Sequence, residues 1–326
     1  MAVAERYELL ARLGAGSFGE VFRAIERATG RTVALKVLHR QDGDSLQRFY
    51  REAVALYSQL GNEHVVALLD HAGLSDEEPH LALEYCELGS LRSWVGAGKS
   101  VAQIATALLH AARGLAGVHG ANGLHRDVKL ENLLVAKMSD RLSWRVKVAD
   151  FGLAGFPDPV TGTMTLNACG TEGYIAPEVL IGTPFHPLAD VYSLGIVGIE
   201  LLVGRIDVSA FAVTAMPAVL KALLKSMVSG SAGNRPTAAQ VAEALEKFLA
   251  PAPAASPSWT RANAATPTAP PGQQASFGDA LAKAALAVGA AALVGAGLKA
   301  LFGGGGTYYD PSVDRNRGAD GRFRDF

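Results

Sequence analysis

Along residues 7–38 the chain alternates in the manner of strands. Apolar side chains fall at Tyr7, Leu9 and Ala11, then at Val21, Phe22 and Ala24, and again through residues 32–38, with Gly30 marking one hairpin turn. The period changes at residues 45–60, where Leu46, Phe49, Ala53, Leu56 and Leu60 fall at helical spacing. Residues 65–69 and 80–84 read as strands again, so a small sheet crossed by one helix is expected. Beyond Gly89 the pattern is mostly helical, with long stretches at 101–119, 187–203, 217–228 and 237–249. The character changes near Tyr85-Cys86-Glu87, which predicts a β-rich lobe of about residues 1–85, a helical lobe of about 87–250 and a cleft between them.

Composition narrows the picture further. The 326 residues are 49% apolar, enough for a large buried core plus an appendage. A formal charge of −1 and no basic run of five or more give no electrostatic reason to expect nucleic acid as a partner. Cys86 and Cys169, the two cysteines, are too far apart in sequence to suggest a disulfide framework or metal cluster, and a reducing interior is the natural compartment. The opening Met-Ala-Val-Ala-Glu-Arg-Tyr has no apolar secretory core, so a cytoplasmic location is expected for the folded unit.

Past residue 250 the composition shifts. Residues 251–276 are rich in Pro, Ala, Ser and Thr and read as a flexible linker. Residues 277–302 are rich in Ala, Leu, Val and Gly, and 303–326 form a glycine-rich, polar tail. As a helix, 281–302 would measure about 33 Å at about 1.5 Å per residue, just enough to cross a bilayer core. Lys283 and Lys299 could snorkel at its ends, while Gly289, Gly295 and Gly297 suit close helix contact. A membrane anchor and an alanine-rich docking helix fit this segment equally well.

An ordered series of motifs carries the chemistry. Gly14-Ala-Gly16-Ser-Phe-Gly19-Glu-Val21 is followed by Val33-Ala34-Leu35-Lys36, then His125-Arg126-Asp127 with Lys129 and Asn132, then Asp150-Phe151-Gly152, then Ala176-Pro177-Glu178. A glycine trio of this spacing also opens dinucleotide-binding domains, but there a helix follows, whereas here the strand pattern continues through Ala24. Taken alone it would be an ordinary hairpin turn. Residues 125–132 crowd five charged or protonatable side chains and an amide among Leu124, Val128, Leu130, Leu133 and Leu134, which would bury the backbone and fix the polar groups. Asp150 follows the apolar run 146–149, so its carboxylate would emerge at a strand end.

In order and spacing the series resembles the eukaryotic-type, Hanks-type serine/threonine protein kinases, with a composition like that of bacterial members, over residues 7–249. The resemblance implies an α+β, two-lobed protein kinase fold that uses ATP with Mg²⁺ or Mn²⁺. Gly14, Gly16 and Gly19 would lie over the triphosphate, and Val21 and Ala34 would belong to the same nucleotide site. Lys36 would bind the α and β phosphates and be held by Glu52 on the following helix. Glu52 is preferred to Glu63 because Leu56, one turn on, puts an apolar residue on the buried face. The backbone of Glu84 and Cys86 would bind the adenine edge, with Leu83 as gatekeeper and Glu87 within reach of the ribose or simply solvated. Cys86 itself reads as a small apolar filler.

By the same resemblance Asp127 accepts or orients the substrate hydroxyl proton, Lys129 neutralises the transferring phosphate, and Asn132 and Asp150 bind metal. Lysine two residues after the aspartate is the pattern of kinases acting on serine and threonine. Thr171 resembles the threonine that positions substrate against Asp127 and Lys129. Arg126 beside Asp127 implies regulation by a phosphothreonine in the stretch between Asp150 and Glu178, with Thr165 the first choice and Thr163 the second. Glu178 with Arg235, and Asp190 at a helix start, match scaffold positions, while 204–217 leaves little room for a docking helix. Residues 138–144 lengthen a hairpin relative to the family. Partners implied are protein substrates bearing serine or threonine, and a second copy for autophosphorylation in trans. A pseudokinase scaffold is the alternative, although it would typically lack one or more of Lys36, Glu52, Asp127, Asn132 and Asp150. A small-molecule kinase would lack the 170–178 segment.

Overall fold

The computed structural model describes residues 3–16, 19–38, 43–72, 78–138, 143–154 and 170–250. The expected linker, the apolar segment, the tail, Thr163, Thr165 and most of the lengthened hairpin loop lie outside these residues.

The chain folds as an α+β protein with a β-rich lobe followed by a helical one. A short helix α1 (Val3–Arg6) leads into strands β1 (Tyr7–Gly16), β2 (Gly19–Glu26) and β3 (Thr32–Leu38), and helix α2 (Gly43–Ser58) is followed by β4 (Leu68–Ala72) and β5 (His80–Glu84). The five strands form one antiparallel sheet in the order β1-β2-β3-β5-β4. Strand pairing sorts the side chains by face. Ala24 sits opposite Val33 and Leu35 opposite Ala82, and these join Tyr7, Val3 and Val37 in an apolar cluster. The opposite face carries Val21 paired with Lys36, and Ala34 paired with Leu83. One register thus buries the aliphatic set and sends Lys36 into the cleft.

The strand expected at 65–69 begins instead at Leu68 and runs to Ala72. Val65 and Val66 belong to a connection tied to the other lobe, where the Val66 amide donates to the Val148 carbonyl (2.9 Å) and the Val148 amide donates to the His64 carbonyl (2.8 Å). Both valines are buried, which produces a strand-like apolar pattern without membership of the sheet.

The helical lobe is built on α3 (Val101–Gly120), the hairpin of β6 (Leu133–Lys137) and β7 (Trp144–Val148), and then α4 (Pro177–Leu180), α5 (Pro187–Val203), α6 (Val208–Val213), α7 (Ala218–Met227) and α8 (Ala238–Leu249). Six-residue α6 has no counterpart in the periodicity of its short segment, and Asp207 caps it by accepting from the Ala210 amide (2.7 Å). Among the described residues α3 alone is long and apolar enough to cross a membrane, and more than half of it is buried within the fold, as a core helix is.

Helix α3 also receives the connection that follows α2. A Cβ on Gly114 would lie 2.5 Å from the His64 carbonyl oxygen and 2.7 Å from Val148 Cγ2, so only glycine lets the connection approach so closely. The His64 ring stacks on His110 of α3 at 4.9 Å, and the Val146 amide donates to His110 Nδ1 (3.2 Å). Burial, then neighbouring His64, Arg145 and Arg113, push His110 down to about 4.

Gly114→Ala is expected to cost about 1–3 kcal/mol, because backbone must shift to admit the methyl group. Urea unfolding would detect this, and an unchanged midpoint would contradict the close approach. A histidine held below its unfolded value near 6.5 contributes stability that is complete above that pH and lost as pH falls toward 4. Thermal midpoints should therefore drop between about pH 6.5 and 4, less steeply in His110→Gln.

Candidate active site

Two polar clusters face the cleft, one on each lobe, and Asp150 connects them. Lys36 Nζ lies 2.5 Å from Glu52 Oε2 and 3.3 Å from Asp150 Oδ1. Glu52 is buried on α2, whereas Asp150 leaves about half its side chain exposed to the cleft (52%). Burial alone would lower the Lys36 ammonium, but the two carboxylates hold it above its ordinary value. The Lys36 charge in turn holds Asp150 below the usual carboxylate range, ionised at neutral pH.

Asp127 gathers the second cluster. Its Oδ1 accepts from the Thr171 hydroxyl (2.6 Å) and its Oδ2 from Lys129 Nζ (2.7 Å) and Asn132 Nδ2 (3.1 Å). Lys129 also donates to Thr171 Oγ1 (2.8 Å), and Asn132 Nδ2 donates to the Asp127 carbonyl (2.8 Å). Asn132 therefore spends its nitrogen on Asp127, and its amide oxygen is the atom suited to a cation. Asp127, Lys129 and Asn132 share one short segment, whereas Thr171, 44 residues on from Asp127, was brought to them only by the family resemblance.

The backbone beneath them is held by Asp190, matched in the sequence to a scaffold position at a helix start, and by histidines on either side of it. Asp190 is fully buried at the start of α5 and accepts from the amides of His125 (2.9 Å) and Arg126 (2.8 Å), with His119 Nε2 at 2.9 Å. Arg126 adopts φ 69° and Asp150 φ 61°, left-handed conformations that cost energy for side chains with a Cβ and need such bracing. His125 Nε2 lies 3.0 Å from the Ala149 carbonyl, and its ring meets the buried Phe151 edge-on at 4.9 Å. The segment carrying Asp150 is thus tied to the segment carrying Asp127. His119 was not anticipated, since 71 residues separate it from Asp190.

Val66, Cys86, Ala136 and Ala149 form an apolar cluster joined by Leu83 and Leu134. Burial pushes the Cys86 thiol up to about 12, so it packs as an apolar group. Glu84 ends β5 with its carboxylate 2.8 Å from Lys147 Nζ, and Glu87 is exposed with its carboxylate accepting from the Lys137 amide (3.2 Å). Gly14 pairs with Val21 and has open space where a Cβ would be, whereas a Cβ on Gly19 would strike the Val37 carbonyl oxygen at 2.2 Å. Gly16 pairs with Gly19 across the turn. Glu178 and Arg235 form a two-pronged pair at 2.7 Å for each prong, with the Arg235 guanidinium over the Tyr192 ring at 4.8 Å.

Comparison with known proteins agrees with this geometry. A family model described as "Protein kinase domain" matches residues 7–250. Serine/threonine-protein kinase PknL of Mycobacterium tuberculosis H37Rv is 37% identical over 205 residues, covering 61% of this chain and 50% of that protein. Serine/threonine-protein kinase Pkn1 of Myxococcus xanthus is 31% identical over 204 residues, covering 61% of this chain and 29% of that protein. Mouse serine/threonine-protein kinase 33 is 30% identical over 201 residues, covering 59% and 41%. The chain spans between roughly a quarter and a half of the length of the curated relatives it matches.

Asp190→Ala should cost about 3–5 kcal/mol, since it strands two buried amides and removes the partner of His119. Denaturant unfolding measures it, and a loss under 1 kcal/mol would show that Asp190 is not the brace.

Proposed function

The chain belongs to the protein kinase family, and from that premise we propose that it transfers the γ-phosphoryl group of ATP to serine and threonine hydroxyls of proteins. The observation that carries the reading is the convergence on Asp127 of Thr171, Lys129 and Asn132, beside an ionised Asp150 paired to Lys36. Asp127 accepts or orients the acceptor hydroxyl proton, and Thr171 holds the carboxylate in place. Lys129 balances charge as the phosphoryl group passes. Lys36, fixed by Glu52, orients the α and β phosphates beneath the backbone of Gly14, Gly16 and Gly19, with Val21 and Ala34 on the same face of the sheet. The Glu84 carbonyl and Cys86 amide take the adenine edge, and the Leu83 and Leu134 cluster supports its ring.

Family membership implies ATP and a divalent cation in general. The donor set fits a hard cation, Mg²⁺ or Mn²⁺, because the Asp150 carboxylate and Asn132 amide oxygen are both oxygen ligands. When bound, the cation supplies charge neutralisation and orientation of the phosphate oxygens.

Regulation by phosphorylation of Thr165 or Thr163, read through Arg126, and exchange of phosphate between two copies belong to the same proposal. So do a cytoplasmic kinase unit of residues 1–250, a linker of 251–276 and a helix within 277–302 that anchors to membrane or docks.

Incubating the full chain with Mg²⁺ and γ-labelled ATP, followed by mass spectrometry, should place label on serine or threonine. Asp150→Ala should abolish transfer. Asp127→Asn should lower kcat by about 10²–10⁴ with ATP affinity within threefold of native. Label appearing on an Asp150→Ala copy mixed with native chain would establish transfer in trans. ATP bound without transfer under all conditions would favour the scaffold reading instead.

A further inference from the structure

One pair of histidines lies where the connection after α2 meets the helical lobe, and it takes no part in the chemistry above. His64, on that connection, is buried (4%), and neither of its ring nitrogens completes a hydrogen bond. Its ring stacks at 4.9 Å on that of His110 in α3, which in turn meets Trp144 of β7 edge-on at 5.7 Å. The Val146 amide donates to His110 Nδ1 (3.2 Å), so that nitrogen carries no proton of its own. Both rings are seated as neutral groups.

The charges around the pair oppose a proton on either ring. Arg145 of β7 and Arg113 of α3 act on both histidines from the helical lobe, and Arg113 is held in place by Glu246 of α8 (2.8 Å). Glu63 is the carboxylate beside His64, with one oxygen 3.8 Å from Nε2 and the other committed to Arg145 at 2.6 Å. Burial and then Arg145 hold His64 below its ordinary value, with the Val146 backbone and Glu63 opposing them only in part. A proton on His110 Nδ1 breaks the bond from the Val146 amide, and protons on both rings set like charges face to face.

What the pair holds is one end of α2. The His64 carbonyl accepts from the Val148 amide (2.8 Å), the Val148 carbonyl accepts from the Val66 amide (2.9 Å), and Val148 stands two residues before Asp150. Other ties from this end of α2 to α3 are long, from Gln59 Nε2 to the Gly117 carbonyl (3.4 Å) and from Asn62 Nδ2 to the Gly114 carbonyl (3.5 Å). Loosening the stack therefore frees both the helix that carries Glu52 and the strand that leads to Asp150. Resting on the protein kinase reading, we propose that the stacked rings of His64 and His110 form an acid-released latch, which holds α2 and Asp150 in the transferring geometry while neutral and reversibly turns the enzyme off when protonated. Release takes up protons, so the latch is complete above about pH 6.5 and weakens as pH falls toward 4, the open population rising by up to about tenfold per pH unit for each histidine.

The test uses the full chain at saturating ATP and Mg²⁺ and follows label transfer to casein between about pH 7.5 and 5.5. The comparison is with His64→Phe/His110→Gln, which keeps a ring on the connection and an acceptor for the Val146 amide but cannot titrate. Titration of ATP and of Asp127 is common to both chains and cancels. The native rate should fall at least about tenfold more than that of the variant and return in full at pH 7.5, while far-UV circular dichroism holds steady. Amide exchange at Val66 and Val148, corrected for its intrinsic pH dependence, should quicken by a similar factor in the native chain alone. Rate profiles that superimpose within about twofold, or an acid loss that follows global unfolding, would overturn the latch and leave the kinase reading standing. If the double variant does not fold, His64→Phe and His110→Gln are each held to a difference of about threefold. Should the native chain label nothing at any pH, the kinase reading falls and the exchange measurement alone decides, with unchanged exchange overturning the latch as well.

Discussion

Everything in the cleft depends on one buried carboxylate. Glu52 is carried by α2 into the interior of the β-rich lobe, where its desolvation is opposed by the Lys36 ammonium at 2.5 Å. Burial raises the Glu52 carboxyl, while the nearby carboxylates of Glu52 and Asp150 raise Lys36 against its own burial. A pair of this kind adds little stability compared with apolar packing. What it fixes is direction: the ammonium is held at the edge of the cleft, within reach of Asp150 on the other lobe.

That geometry is transmitted through backbone contacts rather than through the pair alone. The connection after α2 is bonded to β7 and lies against α3 at a glycine, so one end of α2 is fixed to the helical lobe. The segment bearing Asp127 is likewise fixed by Asp190, and the segment bearing Asp150 by the contacts of His125 with Ala149 and Phe151. Three pieces of chain distant in sequence thus converge on one cleft, each anchored by buried polar groups whose loss would leave amides or charges unpaired.

Much of this was legible in the sequence because the chemistry comes in short strings. Asp127, Lys129 and Asn132 are separated by five residues in all, and the apolar residues among them announced a fixed loop. Lys36 was placed at the nucleotide by the family resemblance alone, and Glu52 was chosen as its partner because Leu56 set the face of its helix. The contacts that hold these strings in place were much harder to read. Asp190 could be matched to a helix start, but its partner His119 lies 71 residues away with no local pattern pointing to it, and Arg92 reaches Glu131, Glu200 and Tyr174 across 39, 108 and 82 residues. The connection at Val65 and Val66 imitated a strand because burial, not pairing, made both positions apolar. Helix α6 escaped notice because six residues are too few to establish a period.

The central claim is that Glu52 acts by directing Lys36 rather than by stabilising the fold. Single-turnover phosphoryl transfer by Glu52→Gln at saturating ATP tests it most directly, alongside the thermal midpoint of the same variant. The account predicts a rate lowered by about a hundredfold from a misdirected ammonium, with the fold retained. A rate within threefold of native, in a folded variant, would contradict it.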